Sequence, residues 1–193
     1  MKLFFSSLLV LILVDFSVAF AQSEMPDHIK KNITYPVLDF HPWIGVMPIA
    51  NGAYPYDPSL DYKIVLDLYG GVKDSTAIHS TILEVARTYN LTLANGIPAD
   101  KIQLAAVIHG GLVKAILSEE EYQKKYQTSN PNLAALKALE DVGVKFYVCG
   151  QSMAFNNIAP DRITPMVKMA VSAKTTFITL DQMGYSYLNV SDD

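Results

Sequence analysis

The period of apolar and polar positions changes several times along the chain, and each change marks an element. "YKIVLDLY" (62–69), "KIQLAAVIHG" (101–110) and "VKFYVCG" (144–150) are short apolar runs that stop at glycine or turn residues. Runs of this length with little polar alternation suit parallel strands covered on both faces. Between the first two, Ile78, Ile82, Val85, Ala86 and Tyr89 recur at helical spacing, with Asp74 or Ser75 placed to cap that helix. The pattern predicts a βαβ unit.

Past the second run, Leu112–Leu117 suits a short helix, and Ser118 followed three residues later by Glu121 has capping-box spacing. Asn130 and Pro131 stand at the N-cap and first-turn positions of a further helix, whose inner face is Leu133, Leu136 and Leu139 and whose end is Gly143. Residues 165–171 read as a fourth strand, 172–183 as a helix and 185–190 as a last strand. Five strands alternating with helices predict a three-layer α/β/α sandwich around a mostly parallel five-stranded sheet. Ligands of such sheets bind beyond the carboxyl ends of the strands. That rule singles out Asp67, Gly70 and Gly71 on the first strand, His109, Gly110 and Gly111 on the second, and Cys149, Gly150, Gln151 and Ser152 on the third.

The N-terminal third has another texture. Residues 1–21 carry Lys2, an apolar run interrupted by Asp15, and Ala19-Phe20-Ala21, the pattern of a secretory leader cut before Gln22. The run is too short for a membrane span, which needs about 20 apolar residues. The expectation is an exported chain, periplasmic or secreted, with no membrane association after cleavage. Residues 22–60 hold Pro36, Pro42, Pro48, Pro55 and Pro58 among aromatics, which predicts an extended arm. Its Phe40, Trp43 and Tyr54 are too apolar for a free tail and predict docking on the domain or on a neighbouring subunit. The α/β domain then spans residues 61–193.

A formal net charge of −4 gives no basic footprint, so nucleic acid is excluded as a partner. A single cysteine closes no loop within the chain. Cys149 is thus a packed thiol, a reactive thiol or half of an intermolecular bridge. At the start of a helix it would face unpaired N–H groups that favour thiolate; equally, free cysteines are commonly small buried hydrophobes. His109, if its strand neighbours the third, comes within reach of Cys149 as base or cationic partner; otherwise it caps a strand end. The paired glycines match neither GxGxxG nor a P-loop, so no nucleotide cofactor is expected. The four histidines lack metal spacing, and no second cysteine exists for zinc. Met166 and Met169 read as core.

"YKIVLDLYGG", "KIQLAAVIHGG", "LEDVGVKFYVCGQSM" and a terminal "GYSYLNV", in that order, resemble the DsrE/DsrF-like family across residues 61–193, and its exported single-gene members more closely than the sulfur-oxidation subunits. The resemblance implies a DsrE-like α/β fold assembled as a homo-oligomer, a trimer or a hexamer. It also implies sulfur relay as a cysteine persulfide at the position of Cys149, a sulfurtransferase-like activity with a protein sulfur donor or acceptor. His109-Gly110 matches the family's histidine-glycine. The alternative is a non-catalytic, oligomeric small-ligand-binding or scaffold protein of the same fold.

Overall fold

The computed structural model describes residues 25–50, 52–53, 57 and 59–191. The leader at 1–21 and Tyr54 lie outside the described residues. Five strands form one parallel sheet: β1 (Tyr62–Gly70), β2 (Ile102–Gly110), β3 (Lys145–Cys149), β4 (Val167–Ala170) and β5 (Ser186–Ser191). Their order is β4-β3-β2-β1-β5, so β2 and β3 are neighbours. The helices are α1 (Asp27–Lys30), α2 (Ser80–Ala94), α3 (Glu119–Tyr126), α4 (Asn132–Asp141), α5 (Gly150–Phe155) and α6 (Ala173–Gln182). No helix among the described residues is long and apolar enough to cross a membrane.

Side chains alternate across the strands and divide the core in two. Leu66, Leu68, Ala106, Ile108, Phe146 and Val148 face α2 and α4, where Ile82, Val85, Leu136 and Leu139 close the larger core. Val65, Ala105, Val107 and Cys149 face the other way, against Ala173, Phe177 and Leu180 of α6. Helices on both faces make the predicted three-layer α/β fold.

Several boundaries depart from the sequence pattern for local reasons. The cap of α2 is His79, whose Nδ1 accepts the Thr81 N–H at 3.3 Å. Asp74 instead accepts both the N–H and the hydroxyl of Thr76, closing a turn that leaves Ile78 ahead of the helix. Residues 112–117 contain only the end of a 3-10 turn at Gly111–Lys114. Ser118 does cap α3 by accepting the Glu121 N–H at 3.3 Å. Asn130 sits one residue further out than predicted, with Pro131 at the N-cap, yet its Oδ1 still accepts the Asn132 N–H at 3.0 Å. The fourth strand starts at Val167 because Pro165 lacks an N–H and the Val167 N–H turns back to the Thr164 carbonyl. Met166 packs against the core, but Met169 is exposed, contrary to its reading as core.

The segment read as an extended arm also contains α1 and a 3-10 turn at Pro42–Ile44. It packs on its own chain. Thr34 and Val46 form an isolated antiparallel bridge, and Leu38 and Ile44 enter the larger core. Asn90 of α2, fully buried, binds the Leu38 N–H and the carbonyls of Leu38 and Ile44. Trp43 of the same segment remains substantially exposed.

Candidate functional site

Cys149 is the last residue of β3 and the N-cap of α5. Its sulfur accepts the Ser152 N–H at 3.4 Å. The Ser152 hydroxyl oxygen accepts the Gly110 N–H at 3.0 Å, which leaves the hydroxyl proton for the sulfur. Burial opposes ionisation of the thiol, which is 5% exposed, but hydrogen bonds from the Ser152 hydroxyl and from the backbone N–H groups of Ser152, Ala173 and Gln151 outweigh it. The thiol is therefore held below its usual pKa. No Lys or Arg lies between Cys149 and Arg162, and Arg162 is paired with Glu121, so amides and a hydroxyl supply the stabilisation a cation would give elsewhere.

The approach of β4 is as close as the backbone permits. A Cβ on Gly150 would lie 2.8 Å from the Ala170 carbonyl oxygen. Glycine here lets the chain leave β3 and turn into α5 beside β4. Gly110 has φ +67°, and a Cβ there would meet the Tyr69 ring at 2.5 Å.

On the same face, His109 and Asp67 form a pair. His109 follows Ile108, which is in register with Val148, so His109 and Cys149 are side by side on adjacent strands. The imidazole turns toward β1, where its Nε2–H donates to Asp67 Oδ1 at 2.5 Å. The strand adjacency that the sequence reading made its condition is present, and the Nε2 hydrogen bond of His109 goes to Asp67. Tyr187 of β5 donates its hydroxyl to Asp67 Oδ2. Burial raises the Asp67 pKa, while the hydrogen bonds from His109 and Tyr187 lower it by more, so the carboxyl titrates below its usual range. The same bond pushes the Tyr187 hydroxyl up to about 12. Tyr69 is tilted against His109 at 5.0 Å between centroids, and Phe177 of α6 stands edge-on to both His109 and Tyr187.

The structure thus gathers Asp67, His109, Gly110, Cys149, Gly150, Gln151 and Ser152 at one end of the sheet. Gly70 and Gly71 are not among the donors to the thiol: the Gly71 carbonyl accepts from His79 Nε2, and Gly70 pairs with Gly110 and lies against Gly111. Tyr187 and Phe177 were not singled out by the sequence. Tyr187 lies on the face of β5 that Val65 and Asp67 share on β1, but the strand order that brings β5 beside β1 is not written in spacing. Among the described residues no group of three or more His, Cys, Asp or Glu side chains is arranged to hold a metal ion.

A parallel α/β sheet with a hydrogen-bonded thiol at a strand end defines the class of domain. The DsrE/DsrF-like family profile matches residues 63–190, and the chain belongs to that family. Among solved structures, a protein of unknown function from Methanobacterium thermoautotrophicum, MTH1491, has the same fold. It is 16% identical over 67% of this chain and all of its own, with a TM-score of 0.50. The ychN protein of E. coli aligns at 15% identity over 68% of this chain and 99% of its own, with a TM-score of 0.46. No curated protein matches the chain.

Proposed function

We propose that this protein handles sulfur through Cys149, accepting and passing a sulfur atom as a persulfide. The supporting observation is the thiol's surroundings. Three N–H groups and one hydroxyl face a sulfur at the carboxyl edge of a parallel sheet, an arrangement that favours the nucleophilic thiolate. In the step this supports, the thiolate attacks the terminal sulfur of a donor persulfide R–S–SH. A new S–S bond forms at Cys149 as the donor's S–S bond breaks, R–S⁻ leaves, and no external oxidant is consumed. Family membership agrees with sulfur chemistry.

The test is intact mass of the full chain after exposure to sodium polysulfide. Added sulfur that dithiothreitol removes, and that is absent in Cys149→Ser, is the expected result. Iodoacetamide alkylation across pH gives a second readout: a wild-type thiol silent until about pH 8.5, the unperturbed value, counts against the proposal.

One observation favours the scaffold reading. A cavity of about 340 Å³ between β3, β4 and α6, lined by Tyr147, Val171, Thr175, Thr179, Leu180 and Met183 among others, does not have Cys149 in its wall. On that reading the cavity holds a small ligand and the thiol is packing. A wild-type mass unchanged by polysulfide supports it.

A further inference from the structure

The Asp67 cluster has a feature that packing does not demand. Both carboxylate oxygens are occupied by donors, His109 on Oδ1 and Tyr187 on Oδ2. A carboxylate that accepts from Nε2 fixes the proton on that nitrogen and leaves Nδ1 with its lone pair in the neutral ring. No buried side-chain nitrogen or oxygen among the described residues lacks a partner, and the His109 side chain is 24% exposed. Its hydrogen bond runs through Nε2, so Nδ1 lies where solvent or a substrate reaches it. His109 and Cys149 share one face, each one residue past the last paired position of β2 and β3, and neighbouring strand backbones stand about 4.8 Å apart.

We infer that Asp67 and Tyr187 are positioning residues that hold His109 as its Nε2–H tautomer, with Nδ1 as the atom that takes the Cys149 proton and returns it to the leaving thiol. This rests on the sulfur-handling reading above. The Cys149 S–H proton passes to Nδ1, directly or through one water, and the thiolate attacks the terminal sulfur of R–S–SH. The donor's S–S bond breaks, and R–S⁻ collects the proton from Nδ1–H to leave as R–SH. The products are the Cys149 persulfide and a thiol, with the imidazole restored. Other groups facing His109 do not serve: Asp67 has both oxygens engaged, Tyr187 stays protonated to about 12, Tyr69 meets the ring as an aromatic neighbour, and Phe177 is apolar.

Two measurements on the full chain test this. In ¹⁵N spectra of histidine-labelled protein, His109 is expected as the Nε2–H tautomer in the wild type and as a tautomer mixture in Asp67→Asn. A wild-type Nδ1–H tautomer overturns the assignment. Sulfur uptake from glutathione persulfide, followed by intact mass between pH 6 and 9, is expected to slow by about tenfold or more at pH 7 in His109→Gln and Asp67→Asn. The two together should cost no more than either alone, since they act as one unit. Tyr187→Phe, which keeps the ring packing, is expected to slow uptake by about threefold and to leave thermal melting nearly unchanged. Wild-type protein that takes up no sulfur overturns the sulfur reading, and the proton transfer with it. Wild-type uptake that survives all three substitutions overturns the relay alone.

Discussion

At the scale of single residues, the sulfur of Cys149 is governed by Ser152. Removing the hydroxyl in Ser152→Ala takes away one donor to the thiolate but keeps the N–H, so the midpoint of iodoacetamide alkylation is expected to rise. The rate at pH 7 should fall by roughly threefold, because less of the thiol is ionised there. An unmoved midpoint would show that the backbone alone sets the thiol. Asp67 has a different signature. Its folded pKa is depressed, so its stabilisation is complete above the unfolded value near pH 4 and is lost as pH falls through the lower folded value. The stability difference between wild type and Asp67→Asn in urea should therefore be largest near neutrality and shrink under acid. Cys149 and His109 were legible because each closes an apolar run at a strand end. Tyr187 was not, because its role depends on which strand lies beside β1, and residue spacing does not encode that neighbour.

Among the elements, two junctions carry more than their length suggests. Asn90 ties the N-terminal segment to α2 through three hydrogen bonds at a fully buried site. Asn90→Ala strands the backbone groups of Leu38 and Ile44, and the expected loss is about 2–4 kcal/mol in denaturant titration. Limited proteolysis should then cut first within residues 25–50. At the other junction, Gly150→Ala sets a methyl against the Ala170 carbonyl, backbone that cannot swing aside. A loss of about 1–3 kcal/mol is expected, together with a slower reaction of Cys149. The first three strands were readable as short apolar runs, since both faces are covered, and the inner faces of α2 and α4 from helical period, while α6 was read as a helix with no inner face named. Helix starts were less so: Asp74 had the right chemistry to cap α2 but closed a turn with Thr76, and His79 capped through a ring nitrogen. Among the described residues of 25–60 the helices are only Asp27–Lys30 and the 3-10 turn Pro42–Ile44, as proline density suggests, but that density did not foretell the burial of Leu38 and Ile44.

For the whole molecule, the two faces of the sheet are unequal. Among the described residues one is covered by α2, α4 and the N-terminal segment and the other by α6, where Ile178 and the capping Met183 are exposed; Leu188 of the edge strand β5 is exposed on the α2 side. Apolar side chains beside an unpaired edge suit a contact between copies. Light scattering of the full chain is expected to give an oligomer mass, and Ile178→Glu combined with Met183→Lys should return it toward the monomer; a wild-type monomer would remove this expectation.

The position of β5 in the sheet has a consequence for the making of the protein. Synthesis runs from the N-terminus, so β1 to β4, with Asp67, His109 and Cys149, leave the ribosome before Tyr187 does. The Asp67 carboxylate exists for a time without its second donor. The last strand of the sheet acts as a latch, completing the hydrogen bonds around Asp67 only after the other four strands have been made.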